Sequence, residues 1–515
     1  MSATNTTSGK STFGVELEFL AAVDDNHHCT PHHAVYEVLQ EPVSVPCPFN
    51  CEEGEHILRL PVDDRPPSFW EFNQNKNPYN AWVVGRDCSV KLNADERQLL
   101  PDSHLISDIE IPSRILDFNN PSPCPHGQFY PCNGEPLMWN WQDEISAIIN
   151  TLKTKCNRPG WRVFVNGTCG LHVHVGREKF GFNLDTTKNV MAMFTAFERC
   201  FDAILPVDRI CGYENDHAPL PSLQLTPSAR SSTIPWSESP GIKYSLPHSA
   251  RQYEHLGHDL MNAYESADFL TWNTLVRNPN IPYWLHLLYN TESITALGEY
   301  STSHISWVNL QHLVYKDSKP TIEIRLHPGS LEADEIISWI DFLCNLFFYA
   351  ESTPTDSVSA TLEANFANPN YTILDICRLV NASPATIAHY TSFLSGTYHT
   401  ARASNTLALQ PTDVVTPLHT SVLSTRSNQH SLPATSSRIL SKLISGRYGQ
   451  FPTSFLNSVL PANVLAGANA DAWWLNDIMD AQGQDSWDQE CHRVVHRAVA
   501  RKNGVPGHEL DNIFD

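Results

Sequence analysis

No apolar run of about eighteen residues occurs anywhere in the 515-residue chain, which argues against a membrane-spanning helix. The richest stretch, "WIDFLCNLFFYA", is interrupted by Asp341 and Asn345. The N-terminal "MSATNTTSGKST" lacks the apolar centre of a secretion signal. Positive charge is scarce: 34 Lys and Arg stand against 56 Asp and Glu, a net charge of −22. Such a surface repels phosphate backbones, so nucleic acid is not an expected partner, and without a spanning run neither is a membrane. A nucleotide is not excluded, because a bound divalent cation inverts the local field. Paired C-x-x-C knuckles and internal repeats are also missing.

What is present is a globular composition, 41% hydrophobic and 17% charged, long enough for roughly two to four domain-sized units. The 13 cysteines, an odd number with no secretion signal, fit reduced thiols in a cytoplasmic or nuclear compartment. Cys47 and Cys51 with His56, and Cys124 and Cys132 with His126, form two local groups among prolines. Without knuckle spacing they read as loop thiols rather than zinc sites. "DNHHCTPHH" reads as a loop or helix entry.

The period-2 and period-3.6 patterns divide the chain. "FGVELEFLA", "EHILRLP", "AWVVGRDCSVKL" and "ISDIEIPSRIL" read as strands, and "HHAVYEVLQ" and "WQDEISAIINTLKTKC" as helices. "CGLHVHVG" reads as a further strand, followed by a helix over "DTTKNVMAMFTAFERCFDAIL" that Asp185 could cap. Residues 214–258 read as a long loop. "HISWVNLQHLVY" and "TIEIRLHP" read as a hairpin joined through "KDSK", and "SLEADEIISWIDFLCNLFFYA" as a long helix. Residues 1–11 read as a disordered tail, 351–399 as a helical extension, 400–440 as a Ser/Thr-rich disordered linker and 441–515 as a helical terminal segment.

Strand alternation also sorts the chemistry. Val15, Leu17 and Phe19 face one way and Glu16 and Glu18 the other; Ile109 and Ile111 alternate with Asp108 and Glu110. Leu171, Val173 and Val175 alternate with His172 and His174, and Ile322, Ile324 and Leu326 with Glu323 and Arg325; Asp87 ends "WVVGRD". One such strand is most simply a solvated face. Several on one sheet would crowd carboxylates that raise each other's pKa and call for a cation. An oxygen-rich set with one or two nitrogens suits Mg²⁺ or Mn²⁺ better than zinc. Arg325, on the face of Glu323, is placed to hold phosphate beside it.

"FGVELEF", "DCSV", "DIEIPSRIL", "GTCGLHVHVG", "RICGY" and "TIEIRLHPGSLEADEIISWI" occur in the order of motifs of the fungal amidoligase family, which the chain resembles over residues 12–350. That family is similar to the carboxylate–amine ligase group of glutamine synthetase and glutamate–cysteine ligase. The resemblance implies an α+β fold: a glutamine synthetase-like catalytic domain over 12–350, with a mainly antiparallel sheet and helices packed on one face. It implies an ATP- and Mg²⁺- (or Mn²⁺-) dependent ligase forming amide or peptide bonds through an acyl phosphate, from small-molecule or peptide carboxylates and amines. Glu16, Glu18, Asp87, Glu110, His172 and Glu323 would bind metal, and His174 a nucleotide phosphate. Arg325 would touch the transferred phosphoryl group, with Glu323 its catalytic companion. Arg209 and Tyr213 would lie on the substrate or nucleotide side. Ser113-Arg114 stands where the family usually has Ser-Pro. The rival readings are a metal-dependent hydrolase and an inactive binding or scaffold protein; the oligomeric state is open.

Overall fold

The computed structural model describes residues 10–25, 29–71, 77–92, 94–177, 181–205, 285, 288–295, 297, 307–314 and 319–395. The chain starts with strand β1 (Ser11–Asp24), helix α1 (Pro31–Gln40) and the hairpin of β2 (Val43–Pro46) and β3 (Glu55–Leu58). Short helices α2 (Pro67–Glu71) and α3 (Ala94–Gln98) precede β4 (His104–Pro112), β5 (Leu116–Asp117), β6 (Ser122–Pro123) and β7 (Met138–Trp139). Helix α4 (Trp141–Lys155), β8 (Trp161–Phe164) and β9 (Gly170–Arg177) follow, then α5 (Leu184–Ala196) and α6 (Glu198–Asp202). Further on come β10 (Val308–Asn309), α7 (Gln311–Val314), β11 (Thr321–Pro328) and α8 (Ala333–Ser352). Helices α9 (Thr355–Asn365), α10 (Ile373–Leu379) and α11 (Pro384–Leu394) end the described chain.

The class is α+β, and the chain forms two compact units that interleave in sequence. Among the described residues, one draws on those up to Gly181, Glu323–Asn345 and 382–395; the other on those within Phe182–Ile322 and Leu346–Asn381.

In the first unit β1 is the organiser. It pairs antiparallel with β4, β5, β8 and β9, and β11 lies on the far side of β9. Its sequence explains this centrality. Phe13, Val15, Leu17 and Phe19 are all buried on one face, and from Leu20 to Val23 the strand is apolar and buried on both. Trp141, opening α4, meets Phe13 edge-on at 5.3 Å, which sets that helix on the apolar face. Ile145, Ile148, Ile149 and Leu152 then bury completely, each contributing about 1.5–3 kcal/mol. Helix α1 packs on β1, β4 and α4 through Ala34, Val35, Val38 and Leu39.

Ser113 and Arg114 make a well-anchored turn. Ser113 Oγ accepts from Val15 N at 2.8 Å and donates to the Arg114 carbonyl at 2.7 Å. The buried Arg114 guanidinium forks onto Glu144 of α4, with Nε to Oε1 at 2.9 Å and an NH2 group to Oε2 at 2.6 Å. The Trp82 indole donates to the same carboxylate at 2.5 Å.

In the second unit α5 is buried on nearly every side. Its N-cap is Asn183, whose side chain accepts from Thr186 N at 2.8 Å; Asp185 is not the cap. Asn183 stands in extended backbone just before the first turn, while Asp185 is already helical. The single helix expected over 185–205 breaks at Phe197 (φ −106°, ψ 17°), and Phe194 and Phe201 stack across the break at 4.7 Å. Helix α9 packs on α5, and Arg199 donates to the carbonyls of Asn368 and Tyr371 at 3.0 and 2.8 Å.

Two strand readings and one boundary need correction. "AWVVGRDCSVKL" is extended chain held by isolated bridges, Val62 with Trp82 and Gly85 with Glu110, and closed by a turn in which Asp87 accepts from Ser89 N. Of "HISWVNLQHLVY", the described residues 307–314 hold the two residues of β10 before α7 begins, because the Asn309 side chain captures the Gln311 N–H at 2.9 Å. Ser11, expected in a disordered tail, pairs with Arg177 in the sheet. Residues 1–9, the loop 214–258, the linker 400–440 and the segment 441–515 lie outside the described residues.

Candidate active site

Antiparallel register turns three short sequence patterns into one cluster. Glu16 lies across from His172 on β9, Gly14 across from His174, and Glu18 across from Glu110 on β4. Since i and i+2 share a face, both glutamates, both histidines and Glu110 converge on one side of the sheet. β11, beside β9, adds Glu323 and Arg325.

Three carboxylates surround one imidazole nitrogen. His172 Nδ1 lies 3.2 Å from Glu16 Oε2, 3.3 Å from Glu18 Oε1 and 3.8 Å from Glu323 Oε1. His174 Nε2 lies 3.0 Å from Glu16 Oε1 and 3.9 Å from Glu323 Oε1. Arg325 donates to Glu323 Oε1 at 2.5 Å. Ligand atoms of Glu16, His172 and Glu323 all fall within 4.8 Å of one another, the spread of a shell around a single ion.

Exposure grades the cluster. Side chains of Glu18, Glu323 and His172 are only 2%, 3% and 4% exposed, while His174, Arg325 and Glu16 reach 15%, 19% and 23%. The deep end can seat a desolvated ion, and the shallow end can meet what arrives from solvent.

The charge balance is uneven. Burial would push the Glu16 carboxyl up, but His174 and His172 outweigh it and hold the group well below its usual range. Burial likewise pushes the Glu323 carboxyl up, but Arg325 with His174 outweighs it and lowers the group from its usual range. Glu18 is raised by burial despite His172 and Arg325. Glu110 is raised well above the carboxylate range, first by burial and then by Glu16, Glu18 and Asp87. Burial disfavours the Arg325 cation, yet Glu323, Glu18 and Glu16 hold it charged.

Of the expected set, Glu16, Glu18, His172, His174, Glu323 and Arg325 meet by contact, Glu110 joins their face by register across from Glu18, and Asp87 is near enough for its charge to act on Glu18 and Glu110. Arg209 and Tyr213 lie outside the described residues.

Pattern reading missed three contributors. Gly170 donates its N–H to Glu18 Oε2 at 2.6 Å, and a Cβ there would stand 2.4 Å from His172 Nε2. Gly329 donates to the Cys169 carbonyl at 2.7 Å, and its Cβ would meet Cys169 Cβ at 2.5 Å. Both flank a motif, in "CGLHVH" and "RLHPGS", which is the only local hint. Tyr79 sits at φ +51°, uncommon for an aromatic residue, with its phenol pushed up by burial and by Glu16 and Glu110. Nothing in its sequence neighbourhood marks it.

Residues 10–216 match the family model described as "Putative amidoligase enzyme". The match carries Glu16, Glu18, Asp87, Glu110, His172 and His174, and stops short of Glu323 and Arg325. It covers well under half of the chain and ends earlier than the 12–350 span of the motif resemblance. A comparison with curated proteins yields no match. No helix among the described residues is long and apolar enough to cross a membrane.

Proposed function

We propose that the protein is an ATP- and Mg²⁺- (or Mn²⁺-) dependent carboxylate–amine ligase, with a glutamine synthetase-like catalytic domain that activates its acid as an acyl phosphate. The observation carrying this reading is the convergence of Glu16, His172 and Glu323 within 4.8 Å, with Arg325 hydrogen-bonded to Glu323.

The donor set fits a hard divalent cation. It is rich in carboxylate oxygen with a single nitrogen at its centre, and buried Glu18 Oε1 forms no hydrogen bond, with His172 Nδ1 approaching it at 3.3 Å. Glu16, Glu18, Asp87, Glu110, His172 and Glu323 would hold the ions. Bound there, the cations would offset nucleotide phosphate charge in an otherwise acidic site.

A free carboxylate is a poor electrophile. Transfer of the γ-phosphoryl group of ATP makes it an acyl phosphate; the amine then adds to the carbonyl carbon and phosphate leaves. Arg325 supplies what this needs on the protein's side: a partly exposed planar fork, oriented by Glu323, for equatorial phosphoryl oxygens. His174, also at the shallow end and set by Glu16, serves a nucleotide phosphate. Arg209 and Tyr213 are assigned to the substrate or nucleotide side.

ADP release by the full-length protein, screened over carboxylate and amine pairs, tests the reading. Release should require acid, amine and Mg²⁺ together and stop with chelator. Phosphate release from ATP or another ester without any amine would instead indicate a hydrolase. No turnover with any pair, alongside tight ligand binding, would indicate a scaffold.

A further inference from the structure

Two thiol groups that sequence separates are reassorted by the fold. Cys132 leaves the neighbourhood of His126 and joins Cys47, Cys51 and His56, so that four ligand atoms lie within 4.8 Å of one another. Cys124 and His126 turn elsewhere: Cys124 Sγ accepts from Gln128 Nε2 at 3.3 Å, and His126 Nε2 lies 3.1 Å from the Leu60 carbonyl.

The spacings are those of a metal shell. Cys47 Sγ and Cys132 Sγ are 3.8 Å apart, and Cys51 Sγ is 3.5 Å from His56 Nε2. A tetrahedral zinc with Zn–S about 2.3 Å and Zn–N about 2.0 Å sets sulfur–sulfur near ~3.8 Å and sulfur–nitrogen near ~3.5 Å. A disulfide would need about 2.0 Å.

Local chain geometry supports the same shell. Cys47 N–H donates to the Gly54 carbonyl at 2.9 Å, and Gly54 N–H to the Cys51 carbonyl at 3.1 Å. Asn50 and Gly54 take positive φ of 50° and 70°, curling the β2–β3 loop so that both its thiols face one point. Phe49 N–H points at Cys47 Sγ over 3.4 Å, the kind of contact that stabilises a thiolate ligand. The His56 side chain is fully buried, and its Nδ1 has no hydrogen-bond partner but faces Glu53 Oε2 at 3.4 Å. A carboxylate behind the far nitrogen of a ligating imidazole is the common outer-shell arrangement.

We propose that Cys47, Cys51, His56 and Cys132 form a structural zinc site, tying the β2–β3 hairpin to the loop between β6 and β7. Four protein ligands leave no open position, which separates it from catalytic zinc. The need is physical. β2 and β3 are four residues each and β6 and β7 two each, and isolated ladders so short are marginal in water. Metal binding free energy would fold this layer. The site shares no residue with the acidic cluster.

Full-length protein, purified under reducing conditions from zinc-supplemented culture, should contain about one zinc per chain by plasma mass spectrometry. Cys51→Ser and Cys132→Ser should each remove most of it, while Cys88→Ser, at an exposed cysteine outside the group, should not. If the two variants fail to fold, cobalt substitution of the wild type decides, since thiolate-to-cobalt charge transfer with intense tetrahedral bands is expected. Zinc well below one per chain would overturn the proposal, as would full zinc retention in folded Cys132→Ser. So would a Cys47–Cys132 disulfide on peptide mapping, or a cobalt spectrum of an octahedral oxygen site.

Discussion

Replacing Arg325 with lysine should lower ligase turnover by about a hundredfold or more while leaving nucleotide affinity within a few-fold. The substitution keeps the charge that Glu323, Glu18 and Glu16 demand. It removes the planar fork, whose two parallel donors match oxygens of a transferring phosphoryl group. A hundredfold loss corresponds to about 2.7 kcal/mol of transition-state stabilisation, the usual scale of one preorganised donor. If Arg325 only relieves repulsion among carboxylates, lysine would do nearly as well, with turnover near wild type and a modestly lower melting temperature. Turnover, ATP affinity and melting temperature on this single variant separate the two accounts. A fully active, less stable protein removes Arg325 from the chemistry.

The second large effect is on stability. Glu144→Ala should cost about 3–5 kcal/mol, a large share of the stability of a typical domain. Glu144 is wholly buried and receives both Arg114 and the Trp82 indole; its loss leaves a guanidinium, itself 6% exposed, without a counter-charge. The pair Arg114→Met with Glu144→Leu should cost less than Glu144→Ala alone, because no charge is stranded. It should still cost about 1–3 kcal/mol, since the Trp82 N–H and the Pro123 carbonyl, now served by Arg114, lose their partners. Urea unfolding of both variants checks this. Glu144→Ala within 1 kcal/mol of wild type, or a double variant worse than the single one, would contradict it.

These two sites show what local pattern can and cannot reveal. Glu16, Glu18, His172, His174, Glu323 and Arg325 were readable because alternation in a strand is a property of consecutive residues and fixes the shared face. Their convergence depended on register, which alternation constrains once one face is apolar. The Arg114–Glu144 fork joins residues thirty positions apart with no periodic signature. Gly170 and Gly329 matter through the absence of a side chain, and that shows only when the neighbour, His172 or Cys169, is in place. The errors have the same origin. "AWVVGRDCSVKL" has the composition of a strand, but a strand also needs a continuous partner, and isolated bridges replace it. Nearness in sequence groups Cys132 with His126, whereas the fold carries it to a loop 85 residues earlier.

The proposed ligase chemistry requires the acidic face of β1, β4, β9 and β11 to bind a divalent cation for nucleotide chemistry. Its most direct test is Mn²⁺ uptake by the zinc-replete full-length protein in the presence of ATP, followed by the paramagnetic resonance of the free ion. The wild type should bind Mn²⁺, and Glu18→Gln and Glu323→Gln, shown folded by circular dichroism, should each weaken binding roughly tenfold or more. Undiminished Mn²⁺ affinity in both folded variants, or no uptake by the wild type, would contradict the account.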